Sequence, residues 1–586
     1  MLQPAVLCRH LFLAAFIFCL VTYAPVVGDS ACTAGCHLHG TCNEELARCD
    51  CPRHRSGANC SEQLHLPSVC KKYGFDVVSC TQETPGHCLN NCTGRGRCWA
   101  GWCQCQPGFY GADCSLSLDP VTRQPVLLAG LGYRPAARGP AIYIYEVPPR
   151  FNTWRNIDKF DRPLYAHLWK RIVSSGHRTL DPDAADYFFI PTDFRYLYQD
   201  AGHVLRYVWR QWPHWNHTGG ARHLLLSTSD LGGCEGSQLM RIRNVTAAST
   251  WITAWGLTRK HPRVWWPGCH RPGLDVVIPI PAQTKGMLRN PLNIAVQPKP
   301  PRNITFFFAG KICGDNRDPH PPGSPWPICQ TPTNPLYSAG MRQQVYALHA
   351  HRPGFKVVPR STSYVEDMSS ALYCLAPTGG GHGKRQVLVA RFGCIPVPIT
   401  DYVMQPFEPE LPWAEFSVSV AEADVPRLHT ILADIPPQRL QAMQAALQCA
   451  SRHLWWSSMW GGIFGEDGRY DAFATLMELL AARRRHPGAE PQDLMALDPE
   501  WAKFARCELG DDTELAAAAL ALGQQGNKAP VTSGAGGLCT YGFDDNLRKF
   551  APTPFCDASK SGQYGIPGGA VCDGAPNIAQ CPRPWH

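Results

Sequence analysis

Between residues 371 and 416 the chain sets glycines, cations and carboxylates at intervals suited to holding a phosphorylated ligand. An apolar run, 371–376, breaks at Pro377 into three consecutive glycines, 379–381. His382, Gly383, Lys384 and Arg385 follow and open a segment of helical period that stops at Gly393. A second apolar run, 394–399, leads to Asp401, with Glu415 and Glu422 beyond it. Backbone N–H groups at a helix start attract anions, and a guanidinium can grip a phosphate with two parallel hydrogen bonds. Strand, glycine loop, basic helix start, strand and acid describe a phosphate cradle at the carboxyl ends of parallel strands. Gly310 and Lys311, at the end of the apolar stretch 304–309, form a second candidate cradle.

The elements that must position these groups recur along the chain. Apolar runs at 141–149, 185–194, 223–230 and 274–281 alternate with helix-like segments at 163–174 and 204–212. After a proline-containing stretch near 297–302 comes a second such unit. It has strands at 303–311 and 354–359, a helix at 338–350, and capping-box spacing of Ser363 and Glu366 before a short helix. Helical pattern returns at 437–453 and 470–485. Such alternation predicts α/β layers built on parallel sheets. An alanine-rich helix is expected at 512–522, before a Gly/Pro-containing tail with Cys539, Cys556, Cys572 and Cys581.

A chain of 586 residues is too long for one core. A net charge of +8 without a dense Lys/Arg tract argues against a nucleic-acid-binding protein. Residues 11–21 are unbroken apolar behind Arg9 and His10, which fits a cleaved signal peptide or, extended to Val27, a single-pass type II anchor. Either directs the rest of the chain into the secretory pathway. The 28 cysteines agree with an oxidising lumen, since 14 of them fall between Cys32 and Cys114. Asn-x-Ser/Thr acceptors stand at Asn59, Asn91, Asn216, Asn244 and Asn303.

Cys32, Cys36, Cys42, Cys49, Cys51 and Cys60 have 3, 5, 6, 1 and 8 intervening residues, and Cys88, Cys92, Cys98, Cys103, Cys105 and Cys114 have 3, 5, 4, 1 and 8. Sequence alone leaves 15 pairings open for each set of six. Both sets resemble the EGF-like module, and the second carries a Gly-Phe-Tyr-Gly turn, 108–111, before its last cysteine. The resemblance implies pairing of first with third, second with fourth and fifth with sixth. Cys70 and Cys80 lie between the modules and are expected to pair with each other. The modules are read as a spacer or as an arm for a protein partner.

Further along, IYIYEVPPRFN (142–152), ADYFFIPTDF (185–194), WNHTGG (215–220), RPGLDVVIPIP (271–281) and FFFAGK (306–311) stand in order. YCLAPTGGGHGKR (373–385), GCIPVPITD (393–401), PFEPELPWAEFSV (406–418) and GRYDAF (468–473) continue the series. Together they resemble the exostosin-type glycosyltransferase family over residues 140–480, in the plant and green-algal form. The resemblance implies an α/β fold of GT-B type, with two Rossmann-like lobes. It also implies sugar transfer from a nucleoside diphosphate, a UDP-sugar, with inversion and without a required metal. Asp181-Pro182-Asp183 has the Asp-x-Asp spelling, but it precedes a strand of the first lobe and is read as chance.

The expected organisation is a leader, 1–28, then EGF-like module 1, 29–62. A linker with module 2 spans 63–117, with the module itself at about 84–115, and a second linker spans 118–140. An acceptor-side lobe, 141–300, precedes a nucleotide-sugar lobe, 301–486, and a carboxyl extension, 487–586. The diphosphate leaving group gains charge as the glycosidic bond breaks, so Gly310, Lys311, Gly381, Gly383, Lys384 and above all Arg385 are the candidates to hold it. Glu415 and Glu422 are candidates for the donor ribose, and Asp401 for the sugar. Inversion requires a general base on the acceptor hydroxyl, for which Asp193, His223 and Asp230 are the candidates. Family members often carry an acid before that histidine, where this chain has Arg222. The acceptor would be a wall polysaccharide or a glycoprotein glycan in the Golgi. The rival reading is an extracellular adhesion or matrix protein whose large domain only binds glycan.

Overall fold

The computed structural model describes residues between 32 and 509, excluding 37–40, 44–47, 51–54, 64–88, 153–163, 282–300, 331–336, 458–467 and a few shorter stretches. The leader, Cys51, Cys70, Cys80, Cys88, His382, the expected helix at 512–522 and the last four cysteines therefore lie outside the described residues.

Short antiparallel hairpins at Thr41–Asn43 with Arg48–Asp50 and at Gly96–Trp99 with Trp102–Cys105 form the amino-terminal region. Disulfides join Cys32 to Cys42, Cys36 to Cys49, Cys92 to Cys103 and Cys105 to Cys114. These four pairs follow the first-to-third, second-to-fourth and fifth-to-sixth pattern. The expected linker after Cys114 is not a plain connector. Leu116–Leu118 and Pro125–Leu127 add to Phe109–Tyr110 as a three-stranded antiparallel sheet. Buried Arg178 of the next domain ties this sheet down, donating to Ser115 Oγ at 2.7 Å and lying 3.6 Å from Asp113.

The first lobe is a six-stranded, wholly parallel sheet: β1 (Ile142–Ile144), β2 (Arg178–Thr179), β3 (Tyr187–Asp193), β4 (His223–Ser227), β5 (Thr250–Thr253) and β6 (Val276–Val277). Its spatial order is β2-β1-β3-β4-β5-β6. Every residue of β3, β4 and β5 is buried, as expected of parallel strands covered on both faces. Helix α1 (Leu164–Val173) buries Leu164, Leu168 and Ile172, and α2 (Ala201–Gln211) buries Ala201, Val204, Leu205 and Val208. Both spacings put an apolar stripe against the sheet.

The second lobe is a four-stranded parallel sheet of β7 (Ile304–Ala309), β8 (Phe355–Val358), β9 (Ala371–Leu375) and β10 (Ile395–Val397), in the order β8-β7-β9-β10. Helices α3 (Met341–His349), α4 (Tyr364–Ser369) and α5 (Arg385–Arg391) connect the strands. Helix α3 starts later than the pattern predicts, because Ser338 and Ala339 have positive φ and Gly340 occupies the left-handed region just before it. The expected capping box is also absent. Ser363 is at the N-cap but makes no side-chain cap, and its backbone carbonyl accepts from Asp367 instead.

Helix α6 (Pro437–His453) packs on α5, and α7 (Ala472–Arg485) is capped by Asp471, which accepts from Phe473 and Ala474. Helix α7 also reaches back to the first lobe. Glu478 pairs with Arg138 at 2.9 Å, and the Leu480 carbonyl accepts from Tyr187. Arg483 bonds the carbonyls of Leu274 and Asp275 and pairs with Glu410. One helix thus holds both sheets in place.

Candidate active site

In the second sheet β7 connects outward to β8, and the chain then crosses back past β7 to β9. The carboxyl ends of β7 and β9 therefore flank the point where the strand order reverses, the place where open parallel sheets bind ligands. β7 delivers Gly310 and Lys311 there, and β9 delivers Thr378 and the glycine loop.

Arg385, the first residue of α5, folds back beneath Gly310 and donates to the carbonyl of Ala309. Its guanidinium lies 4.7 Å from the Phe308 ring centroid and 5.0 Å from that of Tyr364. A Cβ at Gly310 would come within 2.6 Å of Arg385 Nη2, so any larger residue there would displace the guanidinium. Burial holds the Arg385 pKa below its ordinary value.

A second cation, the buried Arg342, which sequence reasoning missed, stands beside it. Arg342 of α3 donates to the carbonyl of Thr378 through Nε and Nη2, at 3.1 and 2.7 Å, and to that of Lys311 at 2.9 Å. It lies over Tyr337 and Phe308, at 4.9 and 5.5 Å from their centroids. Burial pushes its pKa down to about 10, with Arg385 adding repulsion. Neither arginine has an ion pair among the described residues, and buried cations without a carboxylate partner are costly unless an anion completes the site. Lys311 is exposed at the mouth, 5.9 Å from the Tyr337 centroid. Lys384 is the half-buried N-cap of α5.

The first lobe meets this cradle directly. A Cβ on Gly381 would collide with the backbone carbonyl of Asp230. Gly383 is similarly confined, its Cβ position lying 2.6 Å from the Pro377 carbonyl. Asp230, 47% exposed at its side chain, lies 3.9 Å from Arg195 and faces the glycine loop. Of the three base candidates, it is the one that the fold brings to the cradle.

The other two are hydrogen-bonded away from it. Asp193 ends β3 but accepts from the backbone N–H groups of Arg195 and Thr228 and from the Thr228 hydroxyl. A carboxylate so saturated is a weak base, and its bonds hold Thr228 two residues before Asp230. His223 opens β4, at the end of the strand opposite the cradle. It is wholly buried against Phe188 and Trp215, with Nε2 2.8 Å from the Tyr145 hydroxyl. Burial lowers its pKa to about 4.

Among the acids, Glu422 is engaged between the lobes. Its carboxylate accepts from His261 Nε2 at 2.9 Å and pairs with Arg263, both of the first lobe. Its backbone N–H donates to Asp401 at 3.0 Å, and the Asp401 N–H donates to Glu422 at 3.3 Å. Glu422 is thus committed to this contact between the lobes, and Asp401 orders it from four residues beyond the end of β10. Glu415 is exposed on a short turn beside α6, and its side chain makes no hydrogen bond or ion pair among the described residues. Asp181 and Asp183 occupy an exposed turn before β3.

The sequence matches the Exostosin GT47 domain over residues 136–435. The chain belongs to the exostosin GT47 family. It is 31% identical over 379 residues to a probable glucuronosyltransferase of Oryza sativa subsp. japonica, covering 59% of this chain and 81% of that protein. It is 29% identical over 332 residues to the probable beta-1,4-xylosyltransferase IRX10 of Arabidopsis thaliana, covering 52% of this chain and 74% of that one. This GT47 protein is accordingly a glycosyltransferase, and the adhesion-protein reading is set aside. Asn216, Asn244 and Asn303 are all exposed on its lobes. Among its described residues no helix is long and apolar enough to cross a membrane.

Proposed function

We propose that this enzyme transfers a glucuronosyl or xylosyl unit, with inversion, from a UDP-sugar to a wall polysaccharide. The two lobes would act as a GT-B pair, with the donor on the second sheet and the acceptor on the first. The observation that carries the reading is the pair of arginines, Arg342 and Arg385, that stand at the switch point of the second sheet without a carboxylate partner among the described residues. A diphosphate would supply the missing anion. Fixed guanidinium groups in a site shielded from water stabilise charge as it develops on the leaving oxygen, without needing to reorganise. Lys311 and the N–H groups at the start of α5 would add to the same field.

On the other side of the anomeric carbon, Asp230 would take the proton of the attacking acceptor hydroxyl. Its half-exposed carboxylate, set by Asp193 and Arg195, leaves room for an acceptor. The relatives' names motivate the glucuronosyl and xylosyl candidates, and metal independence is part of the proposal because the arginines can replace a cation's role. The disulfide pairing supports EGF-like modules as an amino-terminal arm, and the leader would place the catalytic lobes in the Golgi lumen. The test is turnover of a nucleotide-sugar panel by the purified lumenal chain with a chelator present. Activity with UDP-glucuronic acid or UDP-xylose supports the reading. Activity only with a different sugar, or only after adding a divalent ion, would contradict that part of it.

A further inference from the structure

A small cavity lies between the lobes next to the arginine cradle. Trp255 and Ile278 line it from the first lobe, and Thr378, Gly383, Gln386 and Gln405 from the second. Two of its lining residues each carry a buried, unpartnered polar atom, the carbonyl oxygen of Gln386 and the indole N–H of Trp255. Neither side chain is exposed by more than 5%. An unpaired buried acceptor and an unpaired buried donor each carry a desolvation cost that a bound group could relieve.

The pair also defines what that group must be. A hydroxyl can donate to the Gln386 carbonyl and accept from the Trp255 indole at once. An ionised carboxylate can only accept, and a methyl can do neither. The free space admits one water-sized group, so a single hydroxyl fits where a sugar ring does not. Gln386 directly follows Arg385 on α5, so a hydroxyl arriving here belongs to the sugar bonded to the diphosphate.

We propose that Gln386 and Trp255, one from each lobe, together recognise one hydroxyl of the transferred sugar. This rests on the donor-site reading above. Because the two partners sit on different lobes, the sugar is read only when the lobes are in contact.

The test is calorimetric binding of UDP, UDP-xylose and UDP-glucuronic acid, without acceptor, to the full lumenal chain and to the variants Gln386→Leu and Trp255→Phe. Thermal unfolding confirms that each variant is folded, and the second variant keeps the ring while removing the N–H. The expected result is that wild type binds at least one UDP-sugar more tightly than UDP. Each variant should then lose about tenfold of that sugar's affinity with UDP affinity unchanged within about twofold. Variants that bind the UDP-sugar as wild type does, or that lose UDP and UDP-sugar affinity equally, overturn the inference and leave the donor site standing. A wild-type chain that binds none of the three overturns both.

Discussion

The guanidinium groups of Arg342 and Arg385 lie over the same aromatic ring, that of Phe308, at 5.5 and 4.7 Å from its centroid. One comes from the helix after β7 and the other from the helix after β9, so only the folded sheet brings them together. Two like charges held this close repel, and burial strengthens the repulsion. An anion between them converts a cost into a binding energy. Arg385→Met should therefore weaken UDP binding by about 2 kcal/mol or more, without lowering the unliganded melting temperature. Saturating UDP should raise the wild-type melting temperature and leave that of the variant unmoved. A variant with an unchanged UDP-induced shift would show that Arg385 serves packing alone.

Gly310→Ala should reproduce much of the arginine loss, because the added Cβ meets Arg385 Nη2 at 2.6 Å. The guanidinium must move, since a contact under 3 Å cannot persist. We expect UDP affinity to fall at least tenfold with catalysis reduced in parallel. Gly381→Ala presses instead on the backbone carbonyl of Asp230, so it should reduce kcat more than UDP affinity. If both substitutions gave the same profile, the separate roles given to the two glycines would be wrong.

The two aspartates of the first lobe should separate in the same way. Asp230→Asn is expected to lower kcat by about 10²-fold or more, the scale of a lost general base, with stability unchanged. Asp193→Asn should chiefly destabilise the fold by about 1–3 kcal/mol, since its carboxylate holds Thr228 and Arg195. Steady-state kinetics and urea unfolding on both variants decide the matter. A kcat loss confined to Asp193→Asn would reverse the assignment.

Glu422→Gln tests the clamp between the lobes. The carboxylate is buried and pairs with His261 and Arg263, so the substitution should cost about 1–3 kcal/mol of stability. It should also raise the KM for donor and acceptor together, because the clamp sets the relation of one lobe to the other. A stability loss without any change in either KM would make Glu422 a fold residue only.

Acid sensitivity follows from three buried histidines. His223, His270 and His453 are each held near a pKa of about 4 by burial, against an ordinary value of 6.5. The unfolded chain takes up protons near pH 6.5 that the folded chain refuses until about pH 4. Stability from these groups is thus complete above about pH 6.5 and falls as pH drops toward 4, by up to about 3 kcal/mol for each. Urea midpoints at pH 7, 5.5 and 4.5 should decline in that order, and His270→Phe should flatten the decline. Equal midpoints across the range would contradict this.

Much of this was legible in the residues themselves. Arg385 at a helix start and the apolar runs of both sheets carry local signals of type and spacing, and the helix start and the strands stand where those signals put them. Arg342 carried no such signal. It sits in an ordinary helix, and only the crossover from β7 through α3 places it under Tyr337 and beside Thr378. The fates of Asp193, His223 and Glu422 were hidden for a related reason. Whether a carboxylate or imidazole is free to react depends on donors that arrive from distant segments, such as Thr228 for Asp193 and His261 for Glu422. The sheet over residues 109–127 was concealed by Pro120, Pro125 and its short strands, which resemble a linker until Arg178 anchors it.

The central claim is that Arg342 and Arg385 form an incomplete anion site that a nucleoside diphosphate completes. Calorimetric titration of UDP into the purified lumenal chain, wild type against the Arg342→Ala, Arg385→Ala double variant, tests it most directly. The account predicts saturable one-to-one binding by wild type and loss of at least about 100-fold in affinity in a double variant that remains folded. Equal UDP affinity in the two proteins would contradict it.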